Sequence, residues 1–223
     1  MQIEKDLNRI KNLITLYEKK YGREPGSVCL LAVSKKQSIE KIKQAASAGQ
    51  FSFGESYVQE ALLKMVHFDN LKWHFIGPIQ SNKTRKIAEH FDWVQSVDST
   101  KIARRLNDQR PDHLPKLNIC IQVNIDNEIT KSGISLSEVE SLISYCQDLP
   151  KLTLRGLMAI PKPEQHIDAK RRGFHQLSLK FQALKNKGLP LDTLSMGMSY
   201  DFEAAIAEGS TMVRIGTAIF GDR

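Results

Sequence analysis

The sequence predicts a closed (β/α)8 barrel, or TIM barrel, on the basis of three observations. Short apolar stretches with the length of buried parallel strands alternate with segments of helical periodicity along the chain. Eight such strands can be counted, and their alternation with helices favours a parallel sheet. The length of 223 residues suits one barrel and leaves no remainder for a second domain. We therefore expect a single domain over residues 1–223, with a doubly wound open sheet as the alternative.

The first half of the chain opens with an extra helix over residues 3–20 and then alternates. Ile3, Leu7 and Ile10 recur at spacings of three and four residues, which indicates one apolar helix face. Gly54 interrupts the pattern and is expected to end the second strand. The strands expected in this half are residues 28–33, 51–53, 73–76 and 93–97, and the helices are residues 39–48, 55–65, 84–90 and 99–108.

The second half repeats the same order of elements. Pro150 and Pro161 bound one apolar stretch, which indicates a strand between them. Gly188 and Gly209 follow helical segments and are expected to end them. The strands expected here are residues 117–123, 152–158, 193–195 and 212–215, and the helices are residues 136–146, 165–187 and 202–208.

The chain is basic, with 32 Lys and Arg against 25 Asp and Glu and a formal charge of +7. Such an excess favours nucleic acid, an acidic membrane surface or a phosphorylated small molecule as partner. The basic residues are scattered, however, and no nucleic-acid recognition motif accompanies them. We therefore expect no specific nucleic-acid partner and interpret the basic segments as solvated helix faces: Lys41, Lys43, Lys64, Lys83, Arg85, Lys86, Lys170, Arg171 and Arg172.

The three cysteines are far apart and form no Cys-x-x-Cys pair, so neither a zinc site nor a disulfide framework is indicated. Cys29 and Cys120 lie in apolar stretches and are expected to be buried thiols, which suits a reducing compartment. Residues 1–6 are polar and charged, unlike a signal peptide, and no apolar stretch has the length of a membrane span. These features predict a cytoplasmic protein with no membrane partner.

Lys35 follows the first strand segment, after a run of apolar and small residues. It shares strand parity with Leu31 and Val33, and if these side chains face inward, Lys35 projects into the C-terminal mouth of the barrel. Desolvation there would lower the pKa of the lysine and free its amine for Schiff-base formation. The alternative is that Lys35 extends into water. Lys36 is expected to be an ordinary surface charge.

Two turns rich in glycine and serine follow the last two strands. In a (β/α)8 barrel, phosphates commonly bind at the loops after strands 7 and 8. This chain has Ser-Met-Gly-Met-Ser at residues 195–199 and Gly216-Thr217 at these places. Glycines let backbone N–H groups approach an anion closely, and hydroxyls add donors. A lysine that can trap an aldehyde beside a phosphate cradle is the chemistry that pyridoxal 5′-phosphate (PLP) requires.

Arg214 lies near the end of the eighth strand. Its parity differs from that of Val213 and Ile215, which would turn it towards the barrel mouth; a surface salt bridge is the alternative. A guanidinium does not readily give up its proton. Facing the mouth, it would hold a pyridine nitrogen unprotonated and make the ring a weak electron sink.

These residues resemble a known family, that of the pyridoxal phosphate homeostasis proteins, over essentially the whole chain. The Trp-His-Phe-Ile-Gly block that begins at Trp73 and the Ser-Met-Gly-Met-Ser block that begins at Ser195 are characteristic of it. The segments that carry the resemblance are residues 32–35, 53–60, 73–83, 156–159, 194–199 and 213–217.

The resemblance implies a single barrel like the N-terminal domain of alanine racemase, with PLP held on a lysine. Lys35 matches the Schiff-base lysine, and Arg214 matches an arginine at the pyridine nitrogen. The other matched residues are Ser199, Gly216 and Thr217 at the phosphate, Met196 and Gly197 nearby, and Met158 lining the pocket.

Some positions match the family less closely. Ser56 stands where the family usually has an asparagine, and its single hydroxyl is shorter than an amide. Lys131 matches a further family lysine after the fifth strand, with a solvated loop charge as the alternative. The residues interpreted as support for the pocket are His74, Gln80, Asn82 and Lys83.

Three functions compete at this point. The resemblance implies a non-enzymatic PLP carrier or regulator that passes PLP to apo PLP-dependent enzymes; by default we expect a monomer. The alternatives are a PLP-dependent amino-acid racemase of fold-type III and a Schiff-base aldolase without a cofactor. Racemisation needs a base on each face of the substrate. In alanine racemases, an additional β domain and a partner subunit help to place the second base, a tyrosine. No residues remain here for such a domain, which favours the carrier. We accordingly expect no catalytic residue, and we expect no metal site.

Overall fold

The computed structural model describes residues 2–126, 128, 132–162 and 166–221, and it confirms the closed barrel. The strands are parallel and follow one another in chain order around the barrel, and the last closes onto the first. Their bounds are β1 Cys29–Val33, β2 Ser52–Glu55, β3 Lys72–Phe75, β4 Trp93–Val97, β5 Leu117–Val123, β6 Leu152–Ala159, β7 Thr193–Ser195 and β8 Met212–Ile215.

Helices surround the barrel, and the extra N-terminal helix is present. It precedes β1, buries Ile3, Leu7, Ile10 and Ile14, and packs against the last two helices of the chain. The helix bounds are α1 Gln2–Lys20, α2 Ile39–Ser47, α3 Val58–Met65, α4 Thr84–His90, α5 Thr100–Gln109, α6 Val139–Gln147, α7 Ile167–Asn186, α8 Phe202–Ala207 and α9 Thr217–Phe220, with a 3₁₀ turn at Ser81–Lys83 before α4.

The strands divide two environments, because alternate side chains point to opposite faces. The large apolar core lies between the strands and the helices and includes Phe53, Leu157 and Leu194. The barrel interior has a small apolar cluster of Trp93, Cys120 and Met158 and several buried polar side chains. Four of these buried polar side chains are linked in a chain by hydrogen bonds: His74, Gln95, Ser195 and Arg214. A polar barrel interior is where a polar ligand can be recognised.

Gly54 lies inside β2 and does not end the strand as predicted, and α3 starts at Val58, three residues later than expected. A Cβ atom at Gly54 would lie 3.1 Å from Ile76 Cδ1 and 3.2 Å from Leu31 Cδ2, so close packing of the barrel interior accounts for this glycine. Glu55 stays in the strand, where its carboxylate is buried on the helix side.

Other boundaries differ by a few residues. Helix α6 begins at Val139 and not at residue 136, because Ser135 first forms a turn in which its N–H and hydroxyl donate to Glu138. Helix α9 was not predicted, since four residues are too few to show a period. Helix α7 starts at Ile167, and residue 165, the predicted start, lies outside the described residues.

Two burial predictions are wrong and one is confirmed. Cys120 is buried, and burial raises its pKa to about 12. Cys29 is exposed, because it is the first residue of β1 and borders an open groove beside α1. Lys64, expected on a solvated helix face, is only 5% exposed and is paired with Glu55 and Glu60. Within the described part of the chain, no helix is both long and apolar enough to cross a bilayer.

Candidate functional site

A cavity of about 250 Å³ opens at the C-terminal mouth of the barrel. It brings together five of the residues matched to the cofactor site, Lys35, Ser199, Arg214, Gly216 and Thr217. The rest of its lining is Val33, Ile76, Ile160, Met198 and Tyr200. Residues from β1, β8 and the loops after β1, β3, β6, β7 and β8 therefore converge on one space.

A second cavity of about 460 Å³ adjoins the first, and the two share Lys35, Ile76 and Ile160. Ser56 lines this second cavity, on the loop between β2 and α3. Gln80 and Lys83 line it too, whereas His74 lies deeper in the barrel. The mouth is therefore wider than the pocket at Arg214 alone.

Lys35 lies in the turn that leaves β1 for α2. The turn is closed by a hydrogen bond of 3.0 Å from Gln37 N to Ser34 O, so Lys35 and Lys36 are its two central residues. Lys35 is half-buried and lines both cavities, as the interpretation from strand parity expected. Lys36 is exposed, in agreement with its prediction as a surface charge.

Arg214 is buried, with 3% of its surface exposed, so the alternative of a surface salt bridge is wrong. Its Nη1 donates to Ser195 Oγ at 2.7 Å and its Nη2 donates to the carbonyl of Ala159 at 2.8 Å. Burial lowers its pKa to about 10, so the guanidinium still carries its proton at neutral pH. Both acceptors are neutral, and arginine has more N–H groups than these two acceptors use.

A chain of buried hydrogen bonds runs behind Arg214 across the barrel interior. Ser195 Oγ donates to Gln95 Oε1 at 2.6 Å, and Gln95 Nε2 lies 3.0 Å from His74 Nδ1. The His74 ring stacks on Trp93 at 5.0 Å between centroids. Burial lowers the pKa of His74 to about 3, so the ring is neutral and its Nδ1 accepts the bond from Gln95. The chain fixes Ser195, and through it the guanidinium.

Sequence reasoning missed Gln95, and it placed Ser195 in the phosphate turn, whereas the structure has Ser195 at the end of β7, bonded to Arg214 and Gln95. A partial signal was present for Gln95, a large polar residue that follows Trp93 and Val94 in a strand. The contact of Gln95 with Ser195 depends on barrel closure, since β4 and β7 are not neighbours.

The loop after β7 faces the start of α9. Ser199 Oγ accepts from the backbone N–H of Ala218 at 3.5 Å, in the first turn of α9. The N–H groups of a helix's first turn lack intrahelical partners, which suits them to an anion. Gly197 has φ +94°, and a Cβ atom there would lie 2.5 Å from Ala205 Cβ, so this loop requires glycine. Met198 N donates to Asp201 Oδ1 at 2.5 Å and fixes the loop further.

Three of the matched residues lie outside the cavity lining described above. Met158 packs against Trp93 and Cys120 inside the barrel, and Met196 belongs to the core beneath the helices. Gly197 supports the site through its carbonyl, which accepts from Arg214 N at 2.9 Å. Lys131 lies outside the described residues, so its role stays a prediction.

Acidification is expected to destabilise the protein through His74. The pKa of His74 is about 3 in the folded chain against 6.5 for the exposed side chain. The unfolded chain therefore takes up a proton below about pH 6.5 that the folded chain does not bind until about pH 3. Stability from this group is complete above about pH 6.5 and is lost as the pH falls, by about 2 kcal/mol between pH 7 and pH 5.

Urea unfolding of the wild type and His74→Asn at both pH values measures this effect. Asparagine keeps an oxygen that can accept from Gln95 but does not titrate, so the loss of stability on acidification should be about 2 kcal/mol smaller. His90→Asn, at the exposed end of α4, is the control and should behave as the wild type. Equal losses in the wild type and His74→Asn would show that His74 is not kept neutral by folding.

Comparison with known proteins gives a consistent set of relatives. The family model described as the alanine racemase N-terminal domain matches residues 6–223. The pyridoxal phosphate homeostasis protein of Escherichia coli strain K12 is 51% identical over 226 residues, which cover 99% of this chain and 97% of the relative.

Solved structures agree in fold. The structure of PipY from Synechococcus elongatus with PLP bound has a TM-score of 0.85 and 35% identity, and the match covers 99% of this chain and 100% of that one. An alanine racemase of Clostridium difficile 630 has a TM-score of 0.79 at 16% identity, and the match covers 57% of that chain. The likeness to the racemase is one of fold alone.

Proposed function

The chain belongs to the pyridoxal phosphate homeostasis protein family, and we propose that it binds PLP at the mouth of its barrel and serves intracellular PLP homeostasis without catalysis. The observation that carries the proposal is the single cavity where Lys35, Arg214 and the loop of Ser199 meet. The PLP-bound PipY structure, similar over 99% of this chain, supports the choice of cofactor.

The polar groups of the cavity fit three of the functional groups of PLP: the aldehyde, the pyridine nitrogen and the phosphate. Lys35 offers an amine for the aldehyde, and Arg214 offers a buried N–H donor for the pyridine nitrogen. Ser199 and Thr217 offer hydroxyls beside the first turn of α9 for the phosphate. These three groups of the ligand therefore have partners of matching chemistry in the same space.

PLP supplies an aldehyde that a lysine amine can trap. In the proposed complex Lys35 would hold the cofactor at its aldehyde carbon, through a covalent attachment that water can reverse. Ser199 and Thr217 would hold the phosphate end by hydrogen bonds alone, so the attachment at Lys35 would be the only covalent bond to break on release. This reversibility is what a carrier that hands PLP to an apo-enzyme needs.

Arg214 disfavours strong carbanion chemistry at this site. Its guanidinium stays protonated at neutral pH, so it donates to the ring nitrogen and leaves that nitrogen without a proton of its own. A ring in that state withdraws electrons only weakly.

The racemase alternative also needs a second base held at a fixed position. Tyr200 lines the cavity, but 82% of its surface is exposed, so nothing described here fixes its hydroxyl. Within the described part of the chain, no residue covers the mouth at Tyr200, so water reaches the cavity, unlike a closed active site. The exposed tyrosine and the open mouth therefore favour a PLP carrier over a racemase.

We propose further that the chain acts as a cytoplasmic monomer, with residues 1–223 forming one domain. Support for a reducing compartment comes from the three cysteines, all of which are free thiols. A monomer leaves the mouth open to recipient apo-enzymes. Sedimentation of the purified protein tests the oligomeric state.

Two measurements on the PLP-loaded protein test the function. Incubation with single-enantiomer amino acids in deuterated water should give no turnover at the α-carbon, and mixing with an apo PLP-dependent enzyme should restore that enzyme's activity. Lys35→Ala is the control for both. Deuterium incorporation that requires Lys35 would overturn the carrier in favour of the racemase.

A further inference from the structure

A buried charge cluster lies behind the turn that carries Lys35, on the helix side of the strands. Lys64 of α3 is 5% exposed, and its Nζ donates to Glu55 Oε1 at 2.8 Å and to Glu60 Oε1 at 2.6 Å. The same ammonium donates to the carbonyl of Ser34 at 2.7 Å. Ser34 Oγ donates to Glu55 Oε1 at 2.6 Å, which completes the contact on that side of the turn.

The cluster also holds the other side of the turn. The backbone N–H of Lys36 donates to Glu60 Oε1 at 2.5 Å. The two residues that flank Lys35 in sequence, Ser34 and Lys36, are therefore both bonded to the same group of three charged side chains.

Lys36 needs such support because its backbone is strained. Its φ is +61°, and it is the only residue other than glycine with a positive φ in the described part of the chain. As third residue of the turn closed by Ser34 and Gln37, it occupies the position where a type II turn requires positive φ and favours glycine or asparagine. A lysine there disfavours the turn by an amount that other contacts must offset.

A contribution to folding stability does not by itself explain why this charge cluster is buried here. Buried ion pairs lose much of their Coulombic gain to desolvation, and apolar replacements of the whole group are often neutral or stabilising. Among the described residues, Glu55 Oε2 is moreover buried without a hydrogen-bond partner. What the cluster does provide is directional contact with the two residues on either side of Lys35.

We propose that Glu55, Glu60 and Lys64 form a clamp that holds the strained turn at Ser34–Gln37 and so positions Lys35 for attack on the PLP aldehyde. Among the described residues that line the two cavities, none belongs to the clamp, and its printed contacts are with Ser34 and Lys36, so its members are positioning residues. The part of the inference that concerns attack by Lys35 on PLP rests on the proposed function. The part that concerns how the clamp holds the turn is a property of the protein without PLP.

Glu60→Ala tests the clamp, because Glu60 is partly exposed and its loss spares the buried pair of Lys64 and Glu55. In the protein without PLP, hydrogen exchange of the Gln37 amide should become about tenfold faster, the factor that corresponds to the cost of positive φ in a non-glycine residue. On addition of PLP, the imine absorbance should form about tenfold more slowly. Glu89→Ala, which removes an exposed ion pair with Lys86 on α4, is the matched control and should change neither rate.

Lys36→Gly supplies the rescue, because glycine adopts positive φ without strain. In the Glu60→Ala background it should restore most of the Gln37 protection and most of the rate of imine formation. A general loss of stability in Glu60→Ala would not be repaired by this change. The clamp is overturned if Glu60→Ala matches Glu89→Ala, or if Lys36→Gly leaves both defects in place.

The test separates the clamp from the proposed function. Wild-type protein that forms no imine on Lys35, but shows the exchange effect and its rescue, overturns PLP attachment and keeps the clamp on the turn. Equal rates of imine formation and equal exchange in the wild type and Glu60→Ala overturn the clamp and keep PLP attachment.

Discussion

Lys35→Ala is expected to abolish the imine absorption band of the PLP-loaded protein completely while leaving reversible binding in place. The amine is the group that forms the covalent bond, so no imine remains when it is removed. Ser199, Thr217 and Arg214 line the same cavity and are unchanged, so they retain the phosphate and the ring through hydrogen bonds. An absorption spectrum before and after borohydride, followed by peptide mapping of the reduced lysine, measures the outcome.

Lys43→Ala is the matched control, because Lys43 is an exposed lysine on α2, the helix that follows the turn, and it lines neither cavity. It should keep the band, and borohydride should mark the peptide that contains Lys35. An imine band that survives in Lys35→Ala would move the attachment to another lysine and contradict the site described here. Complete loss of PLP with the band would instead show that the phosphate loops do not bind without the covalent bond.

Much of this site follows from periodicity and topology. The C-terminal ends of all barrel strands meet at one edge, so a lysine after β1 and two glycine-containing turns after β7 and β8 had to approach one another once the barrel was predicted. The parity of Arg214 against Val213 and Ile215 gave its inward direction correctly. The local sequence pattern and the meeting of strand ends at one edge of the barrel are therefore enough to predict where these residues lie.

The rest of the site depends on contacts that no local pattern encodes. The bond from Ser195 to Gln95 joins two strands that are not neighbours in the sheet, so it exists only because the barrel closes. Lys64 has the spacing of a solvated helix position, and its burial follows from two glutamates, Glu55 and Glu60, whose side chains converge only in three dimensions. The burial of Cys29 was wrongly predicted because its apolar neighbours do not show that its own side chain borders an open groove beside α1, while Val28 before it is buried.

The positive φ of Lys36 was equally invisible, since lysine carries no signal for that conformation. Sequence reasoning reads turns from glycine, asparagine and proline, and a turn built on a strained lysine lacks these markers. Strain of this kind is found where surrounding contacts over-determine the backbone, which is commonly at functional sites. The residue whose backbone conformation the sequence did not predict is therefore the neighbour of the proposed attachment lysine.

Arg214→Ala is expected to weaken PLP retention by about 10- to 100-fold, the range for losing a hydrogen bond from a charged donor. The absorption of the bound cofactor should change too, because the ring nitrogen loses its N–H donor. The variant also leaves the Ala159 carbonyl without its 2.8 Å donor, whereas Ser195 keeps its bond to Gln95, so the barrel interior is only partly disrupted. Equilibrium dialysis of PLP and the spectrum of the loaded protein measure the two effects.

Arg155→Ala separates the role of Arg214 from general disruption of the barrel interior. Arg155 lies over the Trp93 ring at 4.7 Å, donates to Asn118 at 2.9 Å and pairs with Asp192, at the opposite end of the same interior. Its loss should lower the stability of the barrel without changing the spectrum of bound PLP. If Arg155→Ala altered the spectrum as much as Arg214→Ala, or if Arg214→Ala changed neither retention nor spectrum, the guanidinium would not be the partner of the pyridine nitrogen. With only Arg214→Ala affecting both, the buried arginine would be the group that sets the electronic state of the ring.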